Sequence, residues 1–177
     1  MIKQFSIKNH KLIIIFVVII TTILIIYTIL KIEKLHIIYN ETPSVPVGFY
    51  IVHPLENEPL FIGEYLEFNV PENYKSYFYD RKYIGNNWTL IKQIGALEGD
   101  NYCINRQDFS INNNIIGNIY KVDSLGRILP INIGCRQIFK DKFFALGANS
   151  DKSFDSRYMG QINKSLIIGK AIPLWIF

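Results

Sequence analysis

The 177-residue sequence has little of several residue types on which common protein architectures depend. Two cysteines are too few for a disulfide-rich scaffold or for a zinc site with four thiolate ligands. The three histidines, His10, His36 and His53, have no spacing typical of a zinc site or of a serine–histidine pair. Only 19% of the residues are charged, which is low for a soluble protein. We therefore expect neither a metal site nor a cofactor.

Net positive charge is absent outside the N-terminal segment. Residues 1–34 carry five lysines and one glutamate, whereas the rest of the chain carries equal numbers of cations and anions. The net charge of +4 and the pI near 9.0 are therefore properties of this segment. Because a neutral body does not attract a phosphate backbone, we expect no binding of nucleic acid.

Residues 12–30, LIIIFVVIITTILIIYTIL, form an apolar run without a charge. A helix of this length rises ~28 Å, close to the thickness of the bilayer hydrocarbon. The alternative is a cleaved signal peptide, but the run exceeds the roughly 7–15 residues usual there, and no small-residue cleavage site follows. We predict a transmembrane anchor at 12–30 and a juxtamembrane linker at 31–41. The lysines before the run favour a cytoplasmic N-terminus, 1–11, and a body outside the cytoplasm.

The body is predicted to be mainly β, because β-branched and apolar runs alternate with turn signals. The segment 71–87 is rich in Tyr, Lys and Asn without a clear period, and we interpret it as a surface loop. Asn112–Asn114 is expected to form a hairpin tip, because asparagine tolerates positive φ. The predicted strands are Phe49–His53, Phe61–Val70, Leu90–Leu97, Asn101–Asn105, Phe143–Leu146 and Leu166–Phe177.

Ser44 lies in the segment TPSVPVGFY, between two prolines and before a glycine. Proline fixes its own φ and restricts the preceding residue, so this serine is expected on a stiff turn that enters a strand. Holding a nucleophile in this way lowers the entropy lost on reaching the attack geometry. The alternative interpretation is a proline-rich linker between membrane and domain.

Lys92 lies in the apolar segment LIKQIGALEGD. Apolar surroundings disfavour the charged amine, lower its pKa and allow it to act as a base near neutral pH. The alternative is an outward-facing lysine on a strand, which period-two alternation allows.

A dense polar run, GANSDKSFDSRYMG, spans residues 147–160 and places Asp155 two residues before Arg157. By itself this pattern also fits an ordinary loop with a salt bridge. The order of the three segments is more specific. A Ser-x-Pro motif beyond an anchor, a lysine in an apolar strand before Gly-Asp, and a Gly-(x)5-Ser-x-Asp-Ser-Arg run resemble the motif series of the type I signal peptidase family.

The resemblance covers most of residues 42–173, and SFDSRYMG at 153–160 is its most specific part. It implies a mainly β, signal-peptidase-like catalytic domain at 42–177, with a cap-like insertion at about 101–141 and one N-terminal transmembrane helix. It also implies that Ser44 is the nucleophile and Lys92 its general base. The other matched positions are Thr42 as a hydroxyl donor to the oxyanion, Ser153 as the serine that orients the lysine, and Asp155 and Arg157 as a structural ion pair.

Several positions differ from ordinary signal peptidases, among them Val45, which stands where a methionine usually follows the serine. The pattern Pro-Ser-Val-Pro-x-Gly-x-Tyr resembles TraF-type peptidases of conjugative transfer systems. Because Ser44 and Lys92 are retained, the differences bear on substrate choice more than on reaction type. The other differences are Glu64, Gln93, Glu98 and Ala148, and further TraF-like positions are Asp123, Gly126-Arg127, Leu129-Pro130 and Gly134-Cys135-Arg136.

Cys103 and Cys135 are either two buried thiols or one disulfide. If the body lies outside the cytoplasm, oxidising conditions favour the disulfide, which would close a loop of about 32 residues.

Together these features predict a membrane-anchored serine endopeptidase of the bacterial inner membrane, with a cytoplasmic N-terminus and a periplasmic catalytic domain. The expected substrates are precursors with signal peptides or pilin precursors, and the expected partners are the bilayer and a conjugation or secretion apparatus. The alternatives are a non-enzymatic docking protein of such an apparatus and a housekeeping signal peptidase. The cleavage site, and whether the product is released or joined to another amine, stay open.

Overall fold

The N-terminal apolar run forms a single helix, α1 (Ile2–Ile32), in a computed structural model that describes residues 2–56 and 58–177. Its segment His10–Ile32 is long and apolar enough to cross a membrane and reaches a mean hydropathy of 3.1. Three threonines interrupt the run, and each hydroxyl donates to a carbonyl of the preceding turn: Thr21 to Val17, Thr22 to Val18 and Thr28 to Leu24. The hydroxyls are therefore satisfied within the helix, as a lipid environment requires.

The chain divides after His36 into two units, and the second contains two β-sheets. The strand pairs with a described register are all antiparallel. In spatial order, the larger sheet contains β1 (His36–Asn40), β2 (Gly48–Pro54), β11 (Ile167–Ile176), β3 (Tyr65–Phe68), β4 (Leu90–Ala96), β9 (Lys142–Leu146) and β10 (Ile162–Asn163). The smaller sheet contains β7 (Asn114–Asn118), β6 (Asp108–Ile111), β5 (Asn101–Ile104) and β8 (Gly134–Gln137).

The larger sheet is buried on both faces around β4, which explains why β4 is a nearly continuous apolar run. One face contributes Leu66, Phe68 and Ile94 to a main core that also takes in residues of the smaller sheet. The other face packs Ile91 against Tyr50, Val52 and Ala171 in a second core. A lysine on β4 therefore meets a buried environment on whichever face it lies.

The prediction of a mainly β body with one N-terminal apolar helix is confirmed. Predicted strands correspond to β2, β4, β5, β9 and β11 within one or two residues at each end, but β3 is shorter than the predicted Phe61–Val70. The hairpin tip forms as expected, because Asn112 and Asn113 adopt φ of 48° and 66° between β6 and β7. The smaller sheet lies within residues 101–137.

Two sequence predictions are wrong in part. The segment 31–41, interpreted as a linker, contains β1, an edge strand of the larger sheet. The segment 71–87, interpreted as a surface loop, contains a 3-10 turn at Glu72–Tyr74 and a short helix, α2 (Lys75–Tyr79). Its tyrosines are partly buried, and Phe78 is 2% exposed and packs edge-on against Phe154 at 5.1 Å between ring centroids.

The two cysteines form a disulfide that joins paired residues of β5 and β8. The predicted pairing is therefore confirmed in the structure. Because the bridge closes a loop of 32 residues, it restricts the unfolded chain and stabilises the smaller sheet.

We predict that replacing both cysteines by serine lowers the free energy of unfolding by about 2–4 kcal/mol, because the unfolded chain regains the entropy of an open loop. Chemical denaturation of the oxidised protein and of the Cys103→Ser/Cys135→Ser variant measures the difference. Alkylation of both wild-type thiols under denaturing, non-reducing conditions would contradict the pairing.

Candidate active site

Ser44 lies on a turn between β1 and β2 and is 5% exposed. Its Oγ is 3.1 Å from Oγ1 of Thr42, within hydrogen-bond distance. Tyr50 stabilises the turn, because its hydroxyl donates to the carbonyl of Pro46 at 2.6 Å. Gly48 follows with φ of 151°, and a Cβ there would overlap the carbonyl of Trp175 on β11. The Ser-x-Pro-x-Gly pattern therefore produces a stiff turn against the sheet, as the sequence predicts.

Lys92 lies on β4, faces the main core and is 6% exposed. Its Nζ donates a hydrogen bond to Oγ of Ser153 at 3.1 Å. Burial lowers the pKa of Lys92 to about 8, because the charged amine loses its hydration. The negative charge of Asp155 opposes this shift in pKa and the positive charge of Arg157 reinforces it. The amine is thus substantially neutral in weakly alkaline solution.

Gly147 is the position at which Ser44 and Ser153 come together. A Cβ at Gly147 would overlap the side chain of Ser153 and lie 3.0 Å from Cβ of Ser44. The backbone N–H of Asn149 also donates to the carbonyl of Ser44 at 3.1 Å. Only a residue without a side chain allows this approach, so Gly147 lets Ser153, the hydrogen-bond acceptor of Lys92, lie next to Ser44.

Asp155 and Arg157 form an ion pair with both side chains almost fully buried. The carboxylate accepts from Nε and Nη2 of Arg157 at 2.9 and 2.8 Å, and from the N–H of Gly147 at 2.7 Å. The guanidinium also donates to the carbonyls of Ser150 and Asp151, both at 2.9 Å. Because every hydrogen bond joins two points of the segment 147–157, the pair fixes the loop that carries Ser153.

Ser44, Lys92 and Ser153 border one cleft of about 1190 Å³. Its walls are formed by residues 37–44, by 83–92 and by 120–129, the last within the segment predicted as a cap. Most of the lining is apolar, which suits an extended peptide with hydrophobic side chains. The aromatic lining residues are Tyr39, Phe78, Tyr83, Trp88, Tyr120, Phe154 and Tyr158.

The cap wall is held by Asp123, a largely buried carboxylate. It accepts from the hydroxyl of Tyr83 at 2.5 Å and from Nε of Arg127 at 2.6 Å. Burial opposes ionisation, but these hydrogen bonds outweigh it and hold the pKa of Asp123 well below its usual range. The TraF-like pair Asp123 and Arg127 therefore joins the cap to the segment after α2 and shapes the cleft.

The structure brings six of the expected site residues together: Ser44, Lys92, Thr42, Ser153 and the ion pair of Asp155 and Arg157. In the residues that the structure describes, no group of three or more His, Cys, Asp or Glu side chains is placed to hold a metal ion.

Sequence reasoning missed Asn40, a buried amide that hydrogen-bonds to the Ser44 turn. An asparagine two residues before a Thr-Pro pair is a signal for a side-chain-to-backbone turn and could have indicated it.

The sequence matches a known protein family. Residues 8–176 match the family described as signal peptidase, peptidase S26. The plasmid transfer protein TraF of Escherichia coli is 30% identical over 150 residues, which are 76% of this chain and 80% of that protein. The crystal structure of a signal peptidase I from Enterococcus faecalis is similar with a TM-score of 0.40 at 16% identity, covering 65% of this chain and 98% of that one.

The family match spans nearly the whole chain, and the TraF relative extends over three quarters of it. The chain therefore belongs to the S26 family of signal peptidases and is TraF-like within it.

Proposed function

We propose that this protein is a membrane-anchored serine endopeptidase in which Ser44 is the nucleophile and Lys92 the general base. The observation that carries the proposal is the buried Lys92 amine, with a pKa lowered to about 8, hydrogen-bonded to Ser153 beside the Ser44 turn. A base with a pKa near the working pH combines a useful neutral fraction with sufficient proton affinity.

In the proposed reaction, neutral Lys92 Nζ accepts the proton of Ser44 while Oγ attacks the carbonyl carbon of the scissile peptide bond. The C–O bond forms, and the carbonyl oxygen takes the negative charge of a tetrahedral intermediate. The intermediate collapses as the C–N bond breaks, and the lysine ammonium returns the proton to the leaving amine. A water molecule, activated in the same way, then hydrolyses the acyl-enzyme and restores Ser44.

Ser153, Asp155 and Arg157 have supporting roles in this proposal. Ser153 accepts one N–H of Lys92 and thereby aims the amine. Arg157 offsets part of the charge of Asp155, so the nearby carboxylate holds the proton on Lys92 less strongly. Charge on the oxyanion is expected to be met by the Ser44 N–H and the Thr42 hydroxyl, and loss of one such donor typically costs about 10²–10³ in rate.

The proposed substrates are exported proteins with signal or pro-sequences, with pilin precursors or other substrates of a conjugative secretion system favoured by the similarity to TraF. We place residues 12–30 in the bacterial inner membrane, 1–11 in the cytoplasm and the peptidase domain, 42–177, in the periplasm. The disulfide supports an oxidising compartment for that domain. An anchor confines enzyme and precursor to one membrane and raises their effective concentration.

We predict that Ser44→Ala and Lys92→Arg each reduce precursor cleavage by about 10³-fold or more in folded protein. Alanine removes the nucleophile, and a guanidinium cannot release its proton at these pH values. The full-length protein in detergent is incubated with candidate pilin and secretory precursors, and product masses are determined. The masses also distinguish hydrolysis from joining to an amine.

Ser165→Ala and Lys140→Arg are matched controls, because both residues are exposed and lie outside the cleft. They are expected to cleave at the wild-type rate. Near-normal cleavage by Lys92→Arg would exclude the serine–lysine mechanism, and equal behaviour of wild type and Ser44→Ala would favour a docking protein.

We predict that kcat/KM rises with pH and reaches half its maximum at about pH 8, where the buried Lys92 loses its proton. Below this midpoint the neutral fraction falls tenfold for each pH unit, and the rate falls with it. The pH–rate profile of the wild type measures the midpoint. A midpoint near 10.5, the ordinary value for lysine, would show that the amine is not desolvated during catalysis.

A further inference from the structure

Asn40, at the end of β1, holds the backbone of the Ser44 turn with its side chain and is 8% exposed. Its Nδ2 donates to the carbonyls of Thr42, Val45 and Pro46 at 2.8, 3.1 and 3.1 Å. Its Oδ1 accepts from the N–H and from the hydroxyl of Thr42 at 3.3 and 3.0 Å. One amide thus contacts the turn on both sides of Ser44.

These contacts determine which way the amide points. If the oxygen and nitrogen of Asn40 were exchanged, the oxygen would face three carbonyl oxygens and the NH₂ would face the N–H of Thr42. Both sets of contacts would be repulsive, so Oδ1 must face the N–H and the hydroxyl of Thr42.

The orientation of the amide also determines in which direction the hydroxyl protons of Thr42 and Ser44 point. An amide oxygen can only accept, so the single hydroxyl proton of Thr42 is directed to Oδ1 of Asn40. The contact of 3.1 Å between Thr42 Oγ1 and Ser44 Oγ then has one consistent direction, in which Ser44 donates and Thr42 accepts. In this state the Thr42 proton is directed to Asn40, so donation to an oxyanion requires the Thr42 hydroxyl to rotate away from Oδ1 as charge develops on the substrate.

We infer that Asn40 is a positioning residue that makes the Thr42 hydroxyl an acceptor and, through it, holds Ser44 Oγ in place for attack. This inference rests on the proposed function of Ser44. It assigns to Thr42 a role in the resting enzyme, before charge develops on the substrate.

The turn does not depend on Asn40 alone for its fold. Tyr50 separately donates to the carbonyl of Pro46, and Pro43 and Pro46 restrict the backbone on either side of Ser44. Removal of the amide is therefore expected to loosen the hydroxyl pair more than to unfold the turn. Asn105 provides a matched control, because it holds the β5–β6 turn by similar bonds, accepting from the N–H groups of Gln107 and Asp108.

The test measures kcat, KM and melting temperature for the full-length wild type, Asn40→Ala, Thr42→Val, the double variant, Thr42→Ser and Asn105→Ala, on a precursor that the wild type cleaves. We expect Asn40→Ala and Thr42→Val each to lower kcat by about tenfold or more, with KM changed less than about threefold. The double variant is expected to be no slower than the slower single variant, because the two residues act as one unit. Thr42→Ser, which keeps the hydroxyl, and Asn105→Ala are expected to retain kcat within about threefold of the wild type.

Wild-type kcat in Asn40→Ala or Thr42→Val would overturn the inference, as would losses that multiply in the double variant. A similar loss of kcat in Asn105→Ala would also overturn it, because the loss would then result from a general loosening of the domain and not from the Ser44 turn. Failure of the proposed function looks different. In that case the wild type cleaves no precursor, or Ser44→Ala cleaves as the wild type does.

Discussion

The burial of the Lys92 amine is the physical constraint on which the site depends. The side chain is 6% exposed, faces the main core and donates to Ser153, a neutral partner. Its pKa is lowered from 10.5 to about 8 in the folded protein, so between these values the unfolded chain binds more protons than the native state. The free energy of unfolding therefore rises with pH across this interval, and at lower pH the buried ammonium destabilises the folded protein. The buried base thus lowers the stability of the protein.

The neighbouring residues make that burial useful. Gly147 lets Ser44 and Ser153 approach, so the hydrogen-bond partner of the amine lies next to the proposed nucleophile. Asp155 alone would stabilise the ammonium form and raise the pKa of Lys92, but Arg157 partly offsets this effect, binds the carboxylate and donates to carbonyls of the same loop. The ion pair thus fixes the loop that carries Ser153 and also affects the pKa of Lys92.

The sequence predicts the parts of this site that depend on local patterns. Two prolines and a glycine around Ser44 predict a stiff turn, and an apolar run around Lys92 predicts a strand. The sequence cannot predict which face of the sheet Lys92 occupies. Both faces of β4 are buried, so the alternation of polar and apolar residues does not distinguish them. It also does not predict the contact of Gly147 with Ser153 or the packing of Phe78 on Phe154, since both are tertiary contacts between separate segments. The helix α2 was missed because its aromatic residues follow no clear period.

The most direct test of the central claim is the pKa of Lys92 itself. Carbon–proton NMR of full-length protein in detergent, with ¹³C-labelled lysine, follows the ε-methylene signal of each lysine with pH, and this signal reports on the protonation of Nζ. The signal that is missing from the Lys92→Met spectrum belongs to Lys92. We predict that the Lys92 signal titrates at about pH 8, well below the ordinary lysine value of 10.5. A Lys92 transition near pH 10.5 would contradict a desolvated base and with it the proposed mechanism.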